Sequence, residues 1–147
     1  MKTLQRGLPI TVAASTTLVT IDTARAALGI DAQSVTELCE SGRLRYAFDL
    51  AAAAQHRREI RIWAESLIQY QTGQELESDD NAAMECIVGH TAAQWIACSQ
   101  VAQRFCVFRK TVYRWAEAQM IHANRSGHTY HVFRPSLIQF LHNRRIK

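Results

Sequence analysis

Apolar residues in the last third of the chain recur at helical spacing in two consecutive stretches. Val101 and Phe105 lie one helical turn apart and share one side of a predicted short helix, for which Ser99 is the expected N-cap. Val112 and Trp115 form the apolar stripe of a second predicted helix, over residues 109–118. The pattern therefore predicts two short helices joined by a tight connection.

Two extended stretches and a last helix follow. Met120–Ala123 and Thr129–Phe133 predict a pair of strands, because the segment Asn124–Gly127 between them has the residue types of a hairpin turn. Pro135 fits the first position of a helix, where its missing N–H costs nothing. The order helix, helix, hairpin, helix is thus expected here.

The same order occurs earlier in the chain. Ser66–Tyr70 recurs as Ser136–Phe140 at an offset of 70, and residues 22–30 match residues 99–107 at an offset of 77. The two offsets differ by seven, so the first copy is expected to carry seven extra residues, placed between Leu50 and Arg58.

In the first copy the expected elements follow from capping and turn residues. Asp22 is the expected cap of its first helix, Gly29 its left-handed end, Asp31 the cap of its second helix, and Gly42 the residue that closes that helix. A longer hairpin over 44–50 and 59–63 and a helix over 65–71 complete the copy. Short extended segments are expected ahead of the two copies, at residues 9–12 and 86–88.

These elements predict an α+β chain, mostly helical, built as two tandem winged helix-turn-helix units. The first unit is expected over residues 1–72 and the second over residues 86–147. An acidic, polar segment over residues 73–85 is predicted to link them. In a helix-turn-helix the second helix enters the DNA major groove, and a hairpin beside it can reach neighbouring phosphates.

Charge is distributed unevenly among these segments. The net charge is +4 in total, but it is +1 over residues 1–72, −5 over residues 73–88 and +8 over residues 89–147. A small unit with such an excess of Lys and Arg is typical of proteins that bind a polyanion, nucleic acid above all.

The second copy resembles a known family. The stretches Ser99–Val107 and Thr111–Trp115, followed by Ile121, Gly127, Tyr130 and residues 137–141, are similar to the excisionase/MerR-like winged-helix DNA-binding domains. The resemblance implies DNA contacts from the second helix and the wing, in a recombination directionality factor, phage regulator or transcription regulator.

The chain departs from the family pattern in several respects. Phe108 stands where a capping residue is usual, Gln119 replaces the glycine present in the first copy as Gly42, and the first wing is unusually long. A ligand-sensing domain and a long dimerisation helix are also missing, which argues against a metal or drug sensor.

The function expected from these features is sequence-specific binding of double-stranded DNA. A bacterium, a phage or a mobile element is the expected source, and a transcription regulator or an excisionase-like architectural factor is the expected role. The expected DNA contacts lie on the second helix and the wing of each copy. They are Arg109, Lys110, Thr111, Tyr113 and Arg114, then Arg125, Ser126 and His128, and in the first copy Gln33, Ser34, His56, Arg57 and Arg58.

The first copy leaves an alternative open. Its second helix also exposes Glu37 and Glu40, whose carboxylates repel phosphate. In the alternative, only the second unit binds DNA and the first recruits a protein partner. A recombinase, a polymerase or a second copy of the chain are the candidate partners.

Catalysis and cofactors are not expected. No nucleophile–base constellation or glycine-rich phosphate loop stands out, and the histidines have no metal-ligand spacing, so we expect no enzyme activity, no cofactor and no metal. The four cysteines form no C-x-x-C pair, and no apolar run of 18 residues occurs. We therefore expect reduced thiols in a cytoplasmic protein without a membrane partner.

Overall fold

The computed structural model of the chain describes residues 16–51, 57–73, 79–89 and 91–146. These residues contain seven helices and six strands. In chain order the elements are β1 (Leu18–Thr20), α1 (Ile21–Leu28), α2 (Ala32–Glu40), β2 (Ala47–Asp49), β3 (Ile60–Trp63), α3 (Ala64–Thr72), α4 (Asp80–Val88), β4 (Trp95–Ala97), α5 (Cys98–Phe105), α6 (Arg109–Glu117), β5 (Ala123–Ser126), β6 (Thr129–Phe133) and α7 (Arg134–Arg144).

The architecture is α+β, and one element order occurs twice. A strand, two helices, two strands and a helix make up the N-terminal half (residues 16–73) and again the C-terminal half (residues 91–146), with α4 between them. Each half holds one three-stranded antiparallel sheet, in the order β1-β3-β2 or β4-β6-β5. The expected α+β class is confirmed.

Individual hydrogen bonds recur in the two halves at the offsets found in the sequence. The N–H of Ala64, at the start of α3, donates to the Thr17 carbonyl at 3.0 Å, and the N–H of Arg134, at the start of α7, donates to the Gln94 carbonyl at 2.7 Å. The two donors are 70 positions apart and the two acceptors are 77 apart, so the sequence repeat corresponds to a repeat in backbone geometry.

The seven extra residues are divided between two places. Ala47 in β2 pairs with Ile62, and Ala123 in β5 pairs with Val132, so these two strands are offset by 76 positions. One extra residue therefore precedes β2, and six lie in the loop between β2 and β3. The prediction that placed all seven residues in this loop is wrong by one residue.

Two predicted helix caps are wrong. The side chain of Thr20, not of Asp22, caps α1 by accepting from the Thr23 N–H at 3.2 Å. Ala97, not Ser99, is the N-cap of α5, and it makes no side-chain cap. Both helices begin where the preceding strand ends, because β1 and β4 run directly into them. At Asp31 and Gly29 the predicted cap and left-handed end are confirmed.

Part of the predicted linker is helix α4. The Asp79 carboxylate caps it by accepting from the Ala82 N–H at 2.7 Å, and the apolar residues Met84, Ile87 and Val88 are buried. The extended segment predicted at 86–88 is therefore wrong, since helical spacing of these residues aligns them on one buried side. The segment predicted at residues 9–12 lies outside the described residues.

The sheet of the N-terminal half is buried on both faces. On one face Val19 and Ile62 pack against α1, α2 and α3. On the other face Leu18, Phe48 and Trp63 join a core made by α4 and the C-terminal half. The two halves thus share a hydrophobic core as well as being joined by the chain.

Arg145 and Ile146, which follow α7, bind to the N-terminal half. The Ile146 N–H donates to the Ala47 carbonyl at 2.8 Å, and Arg145 forms a bridge with Phe48 at the edge of β2. The Arg145 guanidinium also lies 4.1 Å from the ring centre of Tyr46 and 3.3 Å from a carboxylate oxygen of Asp80. The edge strand of the first sheet is therefore covered by residues that follow α7.

Candidate nucleic-acid interface

Helix α6 exposes its cations because its apolar residues are held in the core. Val112 and Trp115 are fully buried, and the Trp115 Nε1–H donates to the Leu50 carbonyl at 2.9 Å. Arg109, Lys110 and Arg114 lie on the opposite, exposed side of the helix. The other two predicted contacts on this helix are half-buried; they are Thr111 and Tyr113.

A tight turn sets the approach of α6. Cys106 ends α5 in a left-handed conformation with φ of 55°, and the Val107 N–H donates to the Ala102 carbonyl at 3.0 Å. Arg61 of β3 donates its Nε–H to the Cys106 carbonyl at 3.0 Å. The N-terminal half therefore contacts this turn through Arg61 and contacts α6 itself at Trp115.

The hairpin of β5 and β6 lies beside α6 and is joined to it through aromatic rings. The rings of Tyr113 on α6 and Tyr130 on β6 are 5.0 Å apart, and the guanidinium of Arg125 lies 5.8 Å from the Tyr130 ring centre. The ring contact joins the hairpin to α6, and Arg125 lies against the same pair of rings. We call the exposed residues Arg109, Lys110, Arg114 and Arg125 the cationic face.

The turn of this hairpin is shorter than predicted. β5 extends to Ser126, which pairs with Thr129, and Gly127 takes a left-handed φ of 64°. The strand predicted over 120–123 therefore begins at Ala123, and the turn expected over 124–127 consists of Gly127 and His128. Both Ser126 and His128 are exposed beside Arg125, as a contact with a neighbouring phosphate requires.

The cationic face carries its charge uncompensated. In the described part of the chain, its four residues form no ion pair with a carboxylate. The other arginines of the C-terminal half behave differently along α7: Arg134 pairs with Glu85, and Arg144 donates to the Ala51 carbonyl. Within the C-terminal half, the positive charge available to an external partner is thus concentrated on α6 and the hairpin.

In the N-terminal half, the predicted contacts on α2 lie in a different electrostatic setting. Gln33 is exposed, whereas Ser34 is half-buried and its N–H donates to the Asp31 carboxylate at 2.8 Å. That hydrogen bond lowers the pKa of Asp31. Glu37 and Glu40 are exposed on the same helix. Arg58 compensates Glu40 at 3.1 Å, so Glu37 is the acid of this pair that forms no ion pair among the described residues, whereas most of the exposed charged residues of α6 are positive.

The long hairpin of the N-terminal half presents less charge than predicted. Arg58 pairs with Glu40 at 3.1 Å and with Asp49 at 3.6 Å, so two carboxylates of its own half compensate its charge. Arg57 is exposed. His56 lies outside the described residues.

Two residues of the interface region were not predicted as contacts. Phe108, the N-cap of α6, is 83% exposed. Tyr130 links the wing to α6, and its helical partner Tyr113 is one residue past the buried Val112. The sequence contained a signal for Phe108, since an aromatic residue at a capping position is unusual.

A metal site, a reactive thiol or a membrane-spanning helix among the described residues would indicate another function. No group of three or more His, Cys, Asp or Glu side chains there is arranged to hold a metal ion. Cys39 and Cys98 are buried, and burial raises the pKa of both thiols to about 11, which keeps them protonated at neutral pH. None of the helices described is both long and apolar enough to cross a membrane.

Comparisons of the chain with protein-family models, with curated proteins and with solved structures give no match. The resemblance to excisionase/MerR-like domains therefore depends on the residues quoted above and stays a prediction.

Proposed function

We propose that this protein binds double-stranded DNA in a sequence-specific manner through its C-terminal half. In this proposal each half is a winged helix-turn-helix, α6 enters the major groove, and the hairpin of β5 and β6 contacts flanking phosphates. The observation that carries the proposal is the cationic face, whose four residues are exposed and form no ion pair among the described residues, and whose helix and hairpin are joined by the Tyr113–Tyr130 contact.

The shape of the cationic face favours duplex DNA over other polyanions. A helix about nine residues long with its cations on the side away from the core has the dimensions of a major-groove reader. Arginine pairs with guanine in two hydrogen bonds, and lysine binds phosphate. The deep, narrow major groove of RNA admits such a helix poorly.

Titration into duplex DNA at two salt concentrations tests the proposal. We expect wild-type binding that weakens steeply with salt, and a loss of roughly tenfold or more in affinity for Arg109→Ala/Arg114→Ala. The control is Arg25→Ala/Arg43→Ala, which also removes two exposed arginines but from the N-terminal half, one of them Arg25, which pairs with Asp22 at 3.6 Å. Both double variants change the net charge from +4 to +2.

The control separates a local contact from a general charge effect. Equal losses in the two double variants would argue against the cationic face as the binding surface. Absence of binding by the wild type at low salt would overturn the proposal.

A second proposal is an adaptor, in which the N-terminal half recruits a protein partner. It is favoured by the exposed Glu37 on α2 and by the pairing of Arg58 with Glu40 and Asp49 of its own half. Charge reversal at Arg57 distinguishes this from DNA binding by both halves, because Arg57→Glu leaves the Arg58 pairs in place. Unchanged DNA affinity favours the adaptor, and a clear loss favours two DNA-binding halves.

The proposal also covers the cellular process in which the protein binds DNA, either transcription or recombination. Transcription regulation needs only site-specific binding, whereas an excisionase-like architectural factor bends its DNA. Electrophoresis of circularly permuted fragments that carry the bound site tests for bending. A mobility that depends on the position of the site supports the architectural role, and constant mobility opposes it.

A further inference from the structure

Phe108 is exposed far beyond any other large apolar side chain in the described ranges. Its exposed fraction is 83%, whereas those of Ile68, Tyr70 and Trp95 are between 37% and 39%. An isolated exposed leucine or tyrosine needs no explanation, but a nearly free phenylalanine ring at the entrance of a basic helix does.

The repeat makes clear what Phe108 replaces. Its counterpart 77 positions earlier is Asp31, whose carboxylate accepts a hydrogen bond from the Ser34 N–H and caps α2. Phe108 takes the same extended backbone conformation, with φ of −75° and ψ of 149°, but its side chain provides no cap for α6. The C-terminal half thus lacks a stabilising hydrogen bond at this position.

The structure shows no other side chain among the described residues as the cap of α6 in its place. The Phe108 ring makes no contact with another described aromatic ring. A residue that breaks a local rule without an internal gain is expected at a functional site. The replacement also removes a carboxylate from beside Arg109 and Lys110, where it would repel phosphate.

We infer that Phe108 contacts thymine methyl groups in the major groove and so contributes to sequence specificity. This inference rests on the proposed DNA binding by α6. The first residues of a helix that enters the major groove are those nearest the base edges. A phenylalanine ring has no hydrogen-bonding group, and the thymine C5 methyl is the apolar feature that base edges present in that groove.

Replacing thymine by deoxyuridine removes this methyl group and preserves base pairing. A duplex is first selected from a random pool with the wild-type protein, and each of its thymines is then changed to deoxyuridine in turn. At one or two positions we expect the wild-type affinity to fall about fourfold, the equivalent of one buried methyl-sized group. Phe108→Ala should bind the thymine and deoxyuridine duplexes equally at those positions.

The matched control is Tyr70→Ala, which removes another exposed aromatic side chain but from α3 in the N-terminal half. It should keep the wild-type sensitivity to deoxyuridine. If no position distinguishes thymine from deoxyuridine, or if Phe108→Ala keeps the full discrimination, the inference is wrong. A ring that instead inserts between base pairs would give one of these two results, because it makes no contact with the thymine methyl group.

The two proposals fail in different ways. A wild-type protein that binds no duplex defeats the proposed function itself. A protein that binds through Arg109 and Arg114 but ignores the thymine methyl leaves the proposed function intact and removes only the role of Phe108.

Discussion

Among the described residues, two that are not glycine, Cys106 and Gln119, hold left-handed backbone conformations, with φ of 55° and 60°. Their counterparts 77 positions earlier are Gly29 and Gly42, with φ of 68° and 83°. The same two turns are thus formed by glycines in one half and by larger residues in the other. A side chain at such a position strains the backbone, since the β-carbon approaches the following carbonyl oxygen.

This strain predicts opposite effects of two reciprocal substitutions. Gln119→Gly should raise the free energy of unfolding, and Gly42→Ala should lower it by about 1 kcal/mol. A β-carbon at Gly42 would meet no atom within 4 Å, so backbone conformation and not crowding decides the result. Urea unfolding of both variants, each compared with the wild type, measures the two changes.

The two outcomes are linked by the repeat. If Gly42→Ala is neutral, the left-handed turn is not strained by a side chain. In that case the left-handed conformation of Gln119 costs the C-terminal half no stability. Stabilisation by Gln119→Gly should leave DNA affinity unchanged, because Gln119 lies beyond the C-terminal end of α6, away from Arg109.

Among the helices, the start of each one depends on what precedes it. Where a loop precedes the helix, as for α2, the sequence identifies the cap correctly at Asp31. Where a strand runs straight into the helix, the last residue of the strand is the N-cap: Thr20 caps α1 with its side chain, whereas Trp63 and Phe133 make no side-chain cap. Ser99 and Asp22 have suitable side chains, but they lie after such junctions, so capping preferences alone misplace the start.

Helix α6 follows a loop and still lacks a capping side chain, so a residue that supplies the cap should stabilise it. Phe108→Asp should restore the cap present on α2 and stabilise the protein by about 1 kcal/mol. It should also weaken DNA binding, because the new carboxylate lies beside Arg109 and Lys110. Thermal unfolding and duplex titration of the one variant measure both effects.

Phe108→Ser is the control for this trade-off, because serine caps a helix without adding charge. It should gain stability as Phe108→Asp does, but lose less DNA affinity. An aspartate variant that is more stable and binds DNA as well as the wild type would contradict a DNA contact at this helix entrance.

For the molecule as a whole, the repeat could be predicted from the sequence and the packing of its halves could not. Apolar spacing and the matched segments reveal each half, since local packing sets those patterns. Phe48 and Trp63 are apolar residues that lie on one face of the sheet, and Ile62 lies on the opposite face. Apolar residues on both faces indicate that both faces are buried. The sequence does not tell which element covers the second face, because contacts between residues that are distant in the chain produce no periodic pattern of apolar positions.

The missed helix α4 illustrates the same limit. Its acidic N-terminal end resembles a linker, although Asp79 is a good cap and Met84, Ile87 and Val88 have helical spacing. In this segment of nine residues the acidic composition favours a linker and the apolar period favours a helix, and the structure follows the period. The cationic face, in contrast, could be predicted, because the exposed side of a short helix follows from its buried stripe.

The shared core predicts that the two halves unfold together. Far-ultraviolet circular dichroism and tryptophan fluorescence should give the same midpoint in urea, since Trp63 and Trp115 lie in one core. Phe48→Ala should destabilise both halves by roughly 3–5 kcal/mol and keep a single transition. Two separate transitions in the wild type would mean that the halves are stable independently.

The contact between Asp80, Tyr46 and Arg145 predicts how this joint stability depends on acid. The Tyr46 hydroxyl donates to the Asp80 carboxylate at 2.6 Å, and Arg145 lies beside it, so the pKa of Asp80 is lower in the folded protein than the usual 3.8. A lowered pKa means that the charged carboxylate stabilises the fold at neutral pH. That contribution is lost as the pH falls below the usual value and through the folded one.

The melting temperature of Asp80→Asn should therefore be lower than that of the wild type at pH 6 and approach it near pH 3. Tyr46→Phe, which removes the same hydrogen bond, should reduce the pH dependence in the same direction. If the gap between wild type and Asp80→Asn is constant from pH 6 to pH 3, the carboxylate charge has no part in holding α4 and the chain end on β2.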